Sequence, residues 1–192
     1  MTALVTSPFI VDSVWQRTKS SAFIQISALT TLTIFSAQII IPLPFTPVPL
    51  TMQTFAILLG ASTLGPIKSL IAQFAYVLIA ALGAPVLAGN RGGLDAVLGA
   101  TGGYLVGFIV ASFVVGTLAH RVSTKKFQGV FFSYFVGSFV IYTFGATWLS
   151  LYTGKGISFA IANGVLPFLI GDFLKASLAA TLLPTTWRLI NK

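Results

Sequence analysis

A long apolar run near the C-terminus, from about Ile157 to Leu183, constrains this chain more than any other feature. An apolar stretch of this length is typical of a helix that crosses a membrane. Asp172 and Lys175 are its only charged residues, and a charge within the hydrocarbon costs between about 3 and 15 kcal/mol. At spacing i, i+3 the two side chains share one helix face. We interpret them as a candidate substrate site; an ion pair that only fixes helix packing is the alternative.

The composition also predicts an integral membrane protein. Of 192 residues, 56% are hydrophobic and 7% are charged, whereas soluble domains carry about 25% charged residues. At this length we expect a single transmembrane domain over residues 1–192, with residues 1–20 as a cytoplasmic N-terminal segment and residues 21–190 as the bundle. The N-terminus does not have the pattern of a signal peptide. The absence of cysteine excludes thiol chemistry and cysteine metal sites.

The apolar runs predict six transmembrane helices, so the fold class is an all-α, multi-pass protein of the cell (cytoplasmic) membrane. The second and third helices are short for a span of about 20 residues. The first five run approximately over Ser21–Ile41, Thr51–Leu64, Pro66–Leu82, Gly99–Ala119 and Val130–Leu151, and the sixth occupies the C-terminal run.

The basic residues predict the orientation of these helices. With the N-terminus inside, eight Lys and Arg residues lie on one side of the membrane and only Arg91 and Lys155 on the other. Because cytoplasmic loops are enriched in Lys and Arg, both termini are predicted to be cytoplasmic. The net charge of +8 therefore reflects membrane topology, and we expect no nucleic-acid partner.

Two loops are predicted to lie on the outer side, above the charged pair. The segment from Pro42 to Pro49, the proline loop, has four prolines in eight residues, which exclude a helix. Since it carries no charge, we expect it to lie against the membrane or to fold back over the bundle. Residues 83–95 form a glycine-rich loop that offers Asn90 and Arg91 as polar ligands. Together with the pair, the loops predict one pocket in the outer half of the membrane.

Two further polar side chains are weaker candidates for this pocket. Gln53 opens the second helix, directly below the proline loop, and Tyr104 lies beside a stripe of small residues in the fourth helix. Such an aromatic is more often an ordinary interface residue than a ligand contact. The stripe itself predicts close helix packing and consists of Gly99, Gly103, Gly107 and Ala111.

The sequence lacks the motifs of several reactions. It has no phosphate-binding G-x-x-x-x-G-K-[ST] loop, no H-E-x-x-H and no G-x-S-x-G. Its three acids, Asp12, Asp95 and Asp172, are too few for a metal cage. We therefore expect a binding protein without its own energy source, without a catalytic residue, metal or cofactor. A membrane enzyme that uses Asp172 is an alternative, although a lone carboxylate beside a lysine is poor acid–base chemistry.

Four motifs follow one another along the chain: Ile41 to Gln53, Gly-Asn-Arg-Gly-Gly at 89–93, Gly-Ala-Thr-Gly-Gly-Tyr at 99–104, and Leu-Pro-Phe-Leu-Ile-Gly-Asp-Phe-Leu-Lys at 166–175. In this order and spacing they resemble the BioY family, the biotin-specific substrate-binding (S) components of energy-coupling factor (ECF) transporters. The likeness covers roughly residues 20–185, and the proline loop and the Gly-Asp-x-x-Lys segment are its most diagnostic parts.

The resemblance implies a six-helix S-component fold that takes up biotin from outside. The implied partners, besides biotin and the lipid bilayer, are a transmembrane coupling protein and two ATPase subunits, although some BioY proteins are thought to work without them. An S component for another vitamin is the first alternative, and a purely structural membrane subunit is another. The candidate biotin-binding residues are Asp172, Lys175, Asn90, Arg91, Gln53 and Tyr104.

The chemistry of biotin is compatible with these candidates. A carboxylate such as that of Asp172 accepts charge-assisted hydrogen bonds from the ureido N–H groups. Lys175 suits the ureido oxygen or the valerate carboxylate and lowers the cost of burying Asp172. S components commonly dock the coupling protein on an Ala-x-x-x-Ala face of helix 1. Here the nearest small pair is Ser27 and Thr31, which we predict as the docking position.

Overall fold

The computed structural model describes residues 9–11, 19–122 and 124–190, and these form a bundle of helices with two very short strands. Most of the predicted N-terminal segment, residues 1–20, lies outside these ranges. The helices are α1 Lys19–Gln38, α2 Gln53–Leu64, α3 Pro66–Ala81, α4 Leu94–Val97, α5 Gly102–Arg121, α6 Phe127–Thr153, α7 Gly156–Gly164 and α8 Leu169–Ile190.

The two strands form the base of the proline loop. Strand β1 (Ile40–Ile41) is antiparallel to β2 (Leu50–Thr51), with Ile40 opposite Thr51. This pairing requires an extended backbone, so α1 ends at Gln38, earlier than the sequence predicts. The paired strands thereby bring the two ends of the loop together just before α2 begins.

By length and composition, three segments of the described chain are able to cross a membrane. They are Gly102–Ala119, Phe127–Thr153 and Gly156–Ile190. The helices α2 and α3 are also apolar but have only 12 and 16 residues, as the sequence predicts. The chain is a multi-pass membrane protein whose α1, α2, α3, α5 and α6, with α7 and α8 together, match the six predicted helices.

The sixth predicted helix is divided into two. Helix α7 ends at Gly164, a 3-10 turn spans Leu166–Phe168, and α8 begins at Leu169. Pro167 causes the break because proline has no N–H and disfavours a helical residue before it. The break places Asp172 in the first turn of α8, where the helix dipole stabilises a negative charge.

Small residues allow α5 and α6 to pack closely, as the stripe predicts. A Cβ atom added at Gly107 would lie 3.0 Å from the Cα atom of Ile141, and one at Gly103 would overlap the Phe144 carbonyl. Helix α5 also packs against α2 and α3, while α8 packs against α6 and α2. These contacts bury Asp172, in the first turn of α8, against α2 and α6.

Candidate binding site

Asp172 and Lys175 form the ion pair that their spacing permits. The Lys175 Nζ atom lies 2.9 Å from Asp172 Oδ1, and both side chains are about 10% exposed. A buried pair is stable only when its remaining hydrogen-bonding capacity is also used. The stability of the pair therefore depends on the other hydrogen-bonding partners of both groups.

The Asp172 carboxylate accepts hydrogen bonds from three helices. Thr54 Oγ1 of α2 donates to Oδ1 at 3.0 Å, in addition to Lys175. On the other oxygen, the Tyr142 hydroxyl of α6 donates to Oδ2 at 2.6 Å and Ser138 Oγ at 3.4 Å. A carboxylate has about four acceptor positions, so these four donors occupy all of them.

The Lys175 ammonium is satisfied in the same way. It donates to the Thr51 carbonyl at 2.7 Å, to Thr54 Oγ1 at 2.8 Å and to Asp172 Oδ1 at 2.9 Å. An ammonium has three donors, and each has an acceptor in the protein. The pair is thus part of a network that joins α2, α6 and α8.

The network forms one side of a cavity that is mostly apolar. The cavity lies among α2, α3, α5, α6 and α8, beneath the proline and glycine-rich loops. Apolar and aromatic side chains with a few convergent polar groups are typical of a small-molecule site. Its lining consists of Val48, Pro49, Leu50, Thr51, Gln53, Thr54, Tyr76, Leu87, Ala88, Arg91, Thr101, Tyr104, Leu105, Phe108, Ile141, Tyr142, Phe168, Asp172 and Lys175.

The proline loop closes one side of this cavity and is fixed to α7. Val48 is buried, and the loop reaches the cavity from Val48 onward. Thr46 Oγ1 donates a 2.6 Å hydrogen bond to the Asn163 carbonyl and accepts one from the Val48 N–H. The loop folds back over the bundle, which is one of the two positions expected from its apolar composition.

The two predicted residues of the glycine-rich loop have different positions. Arg91 lines the cavity, is exposed, and donates from Nε to the Ala88 carbonyl. Asn90 is exposed and does not line the cavity. Its backbone has a φ of 55°, a left-handed conformation that asparagine tolerates well, and its N–H donates to Gln38 Oε1. Asn90 therefore shapes the turn, and Arg91 is placed towards the cavity.

Gln53 and Tyr104 both line the cavity, but their polar atoms already have protein partners. Gln53 accepts a hydrogen bond from Thr51 Oγ1 and donates one to the Tyr76 hydroxyl at 2.9 Å. The Tyr104 hydroxyl donates to the Gly164 carbonyl at 2.7 Å, at the break between α7 and α8. Each of these groups holds neighbouring elements together and presents the rest of its side chain to the cavity.

Ser27 and Thr31 lie away from the cavity. Both are exposed on α1, where they border a shallow surface with the apolar residues Phe23, Ile24, Ala28, Leu32 and Phe35. A face of this kind in a membrane helix contacts lipid or another helix, and small residues favour close helix approach.

Sequence reasoning did not name Thr54, Ser138 or Tyr142 individually. A local signal for two of them exists. Ser138 and Tyr142 are four residues apart in an otherwise apolar helix, so they share one face. Thr54 has no such signal because it meets Asp172 from 118 positions away in the chain.

Comparison with known proteins supports one family. A biotin transporter BioY of Thermotoga maritima is 39% identical over 151 residues, which are 77% of this chain and 88% of that protein. A probable biotin transporter BioY of Pyrococcus horikoshii is 36% identical over 154 residues, covering 80% and 88%. The crystal structure of a biotin S component from an ECF-type ABC transporter aligns with a TM-score of 0.80 and 27% identity, over 91% of this chain and 93% of that one. Because the model of the BioY family also matches residues 11–192, the chain belongs to the BioY family.

Proposed function

We propose that this protein binds biotin in the central cavity and transports it as the S component of an ECF-type transporter. The observation that carries the proposal is the buried Asp172–Lys175 pair in the lining of a cavity within a membrane bundle. An apolar pair of similar volume is often as stable as a buried ion pair, so packing alone gives no reason to retain these charges. As a transporter subunit, the protein is not an enzyme.

The ligand's groups correspond to the polar groups of the cavity. The ureido N–H groups pair with Asp172, the ureido oxygen with Lys175, and the apolar ring system with the aromatic part of the lining. The valerate carboxylate then extends towards Arg91 at the cavity mouth, since a guanidinium binds a carboxylate with two parallel hydrogen bonds. Because the network already uses the capacity of Asp172, biotin binding exchanges hydrogen bonds, and the 3.4 Å contact of Ser138 is the weakest to be replaced.

Calorimetric titration tests the proposal. We expect purified protein in detergent, stripped of bound biotin, to bind biotin tightly and one to one. The same sample is titrated with thiamin and riboflavin as controls, because S components for other vitamins are the nearest alternative. Binding of one of those vitamins by a folded sample that does not bind biotin would refute the assignment.

Arg91 is expected to recognise the carboxylate of biotin. Arg91→Ala should reduce the preference for biotin over biotin methyl ester by roughly tenfold, since a hydrogen bond to a charged group is lost. Asn90→Ala is the matched control from the same loop and should retain the preference. If Arg91→Ala also retains it, the carboxylate contact lies elsewhere in the cavity.

We further infer that the protein works with a transmembrane coupling protein and two ATPase subunits. We expect the coupling protein to dock on the exposed face of α1 around Ser27 and Thr31. Thr31→Trp should then lower biotin uptake by cells that contain the coupling module, while biotin affinity in detergent is unchanged. The control is Thr181→Trp, which replaces an exposed threonine of α8. Equal uptake by both variants would place docking on another surface.

A further inference from the structure

A second, lateral groove lies beside the cavity. It runs between α6 on one side and α7 and α8 on the other. Exposed apolar side chains form most of its surface, among them Phe135, Phe139, Ile161 and Phe173. The groove lies between Phe127–Thr153 and Gly156–Ile190, two of the segments that are able to cross a membrane. It therefore opens towards the hydrocarbon.

The groove and the cavity share two lining residues. Among the described residues, Tyr142 and Asp172 are the ones that line both spaces. The 2.6 Å bond from the Tyr142 hydroxyl to Asp172 Oδ2 joins α6 to α8 between the cavity and the groove. Lys175 and Thr54 lie on the cavity side and Ser138 on the groove side. We call Tyr142 and Asp172 the partition between the two spaces. Asp172 Oδ1 is bonded from the cavity side by Lys175 and Thr54, and Oδ2 is bonded from the groove side by Ser138.

We propose that Tyr142 is a specificity-determining residue that closes the ligand cavity against the lateral groove. Its phenol ring fills the partition, and the hydrogen bond to Asp172 holds the ring there. A ligand with an alkyl substituent directed at this position overlaps the ring and is rejected. Without the ring the two spaces join, and the apolar groove accepts the substituent. This inference rests on the proposed binding of biotin in the cavity.

The proposal is tested with biotin and two alkylated derivatives. One derivative carries a butyl group on a ureido nitrogen, and the other is the butylamide of the valerate. Wild-type protein should prefer biotin to both. Tyr142→Ala should lower the preference for biotin over at least one of the derivatives by about tenfold or more, because a few methylene groups change affinity by this order. The derivative that gains affinity identifies which end of biotin faces the partition.

Matched variants distinguish the contribution of the Tyr142 ring from that of its hydroxyl. Tyr142→Phe keeps the ring and should retain most of the preference. Tyr142→Leu opens part of the partition and should also lower the preference, and it replaces Tyr142→Ala in the test if the alanine variant does not fold. The proposal is overturned if the small variants discriminate as wild type does, or if wild type binds both derivatives as tightly as biotin.

A labelling experiment tests the partition without biotin. The chain has no cysteine, so Thr101→Cys places a single thiol in the cavity lining. A maleimide carried on the acyl chain of a phospholipid in vesicles stays in the hydrocarbon and reaches that thiol from the groove side. We expect several-fold faster labelling when Tyr142→Ala is added. Tyr142→Phe, which keeps the ring and loses only the hydrogen bond, should change the rate much less. Equal rates in all three proteins would refute the partition, whether or not the protein binds biotin. Failure of biotin titration with wild type, by contrast, would refute the proposed function.

Discussion

Replacing Asp172 with asparagine is expected to weaken biotin binding by about 2 kcal/mol or more, a loss of roughly 30-fold in affinity. The amide removes a charged acceptor from the ligand and leaves the ammonium of Lys175 buried without its counter-charge. It also presents N–H groups to a position where Thr54, Tyr142 and Ser138 all act as donors. Calorimetric titration measures the effect.

Asp95→Asn is the control for this experiment. Asp95 is exposed on α4 and does not line the cavity, so its replacement makes the same chemical change outside the proposed site. We expect wild-type affinity for this variant. Equal affinity of wild type and Asp172→Asn would remove Asp172 from the binding site.

Replacing both members of the pair, Asp172→Leu with Lys175→Met, is expected to abolish biotin binding while the protein remains folded. Breaking a buried pair from one side costs about 3 to 5 kcal/mol, whereas apolar replacement of both partners is often neutral. The double variant should therefore unfold at a higher temperature than Asp172→Leu alone.

Thermal unfolding in detergent and calorimetric titration are made on the same preparations. Thr54 and Ser138 are able to bond helix carbonyls when the carboxylate is removed, which limits the number of polar groups left unsatisfied. A double variant that still binds biotin would show that the pair serves packing. A double variant less stable than the single one would show that the surrounding donors, rather than the pairing of charges, dominate the stability of this region.

The membrane fold and the charged pair were predictable because both depend on local sequence. Apolar runs report the helices directly, and the 3.6-residue period places Asp172 beside Lys175 whatever the rest of the chain does. The prolines of the loop exclude a helix by their own covalent structure. Each of these inferences involves residues a few positions apart.

The tertiary structure decided which groups complete the site. Thr54 and Asp172 meet across 118 positions, and Tyr142 meets Asp172 across 30, so the contacts depend on how α2, α6 and α8 pack. Packing also engages Gln53 with Tyr76 and directs Arg91, but not Asn90, to the cavity. The sequence determined that two charges lie within the membrane. Only the fold determined their partners, because hydrogen bonds between helices depend on the distance and rotation of the helices, which no local pattern encodes.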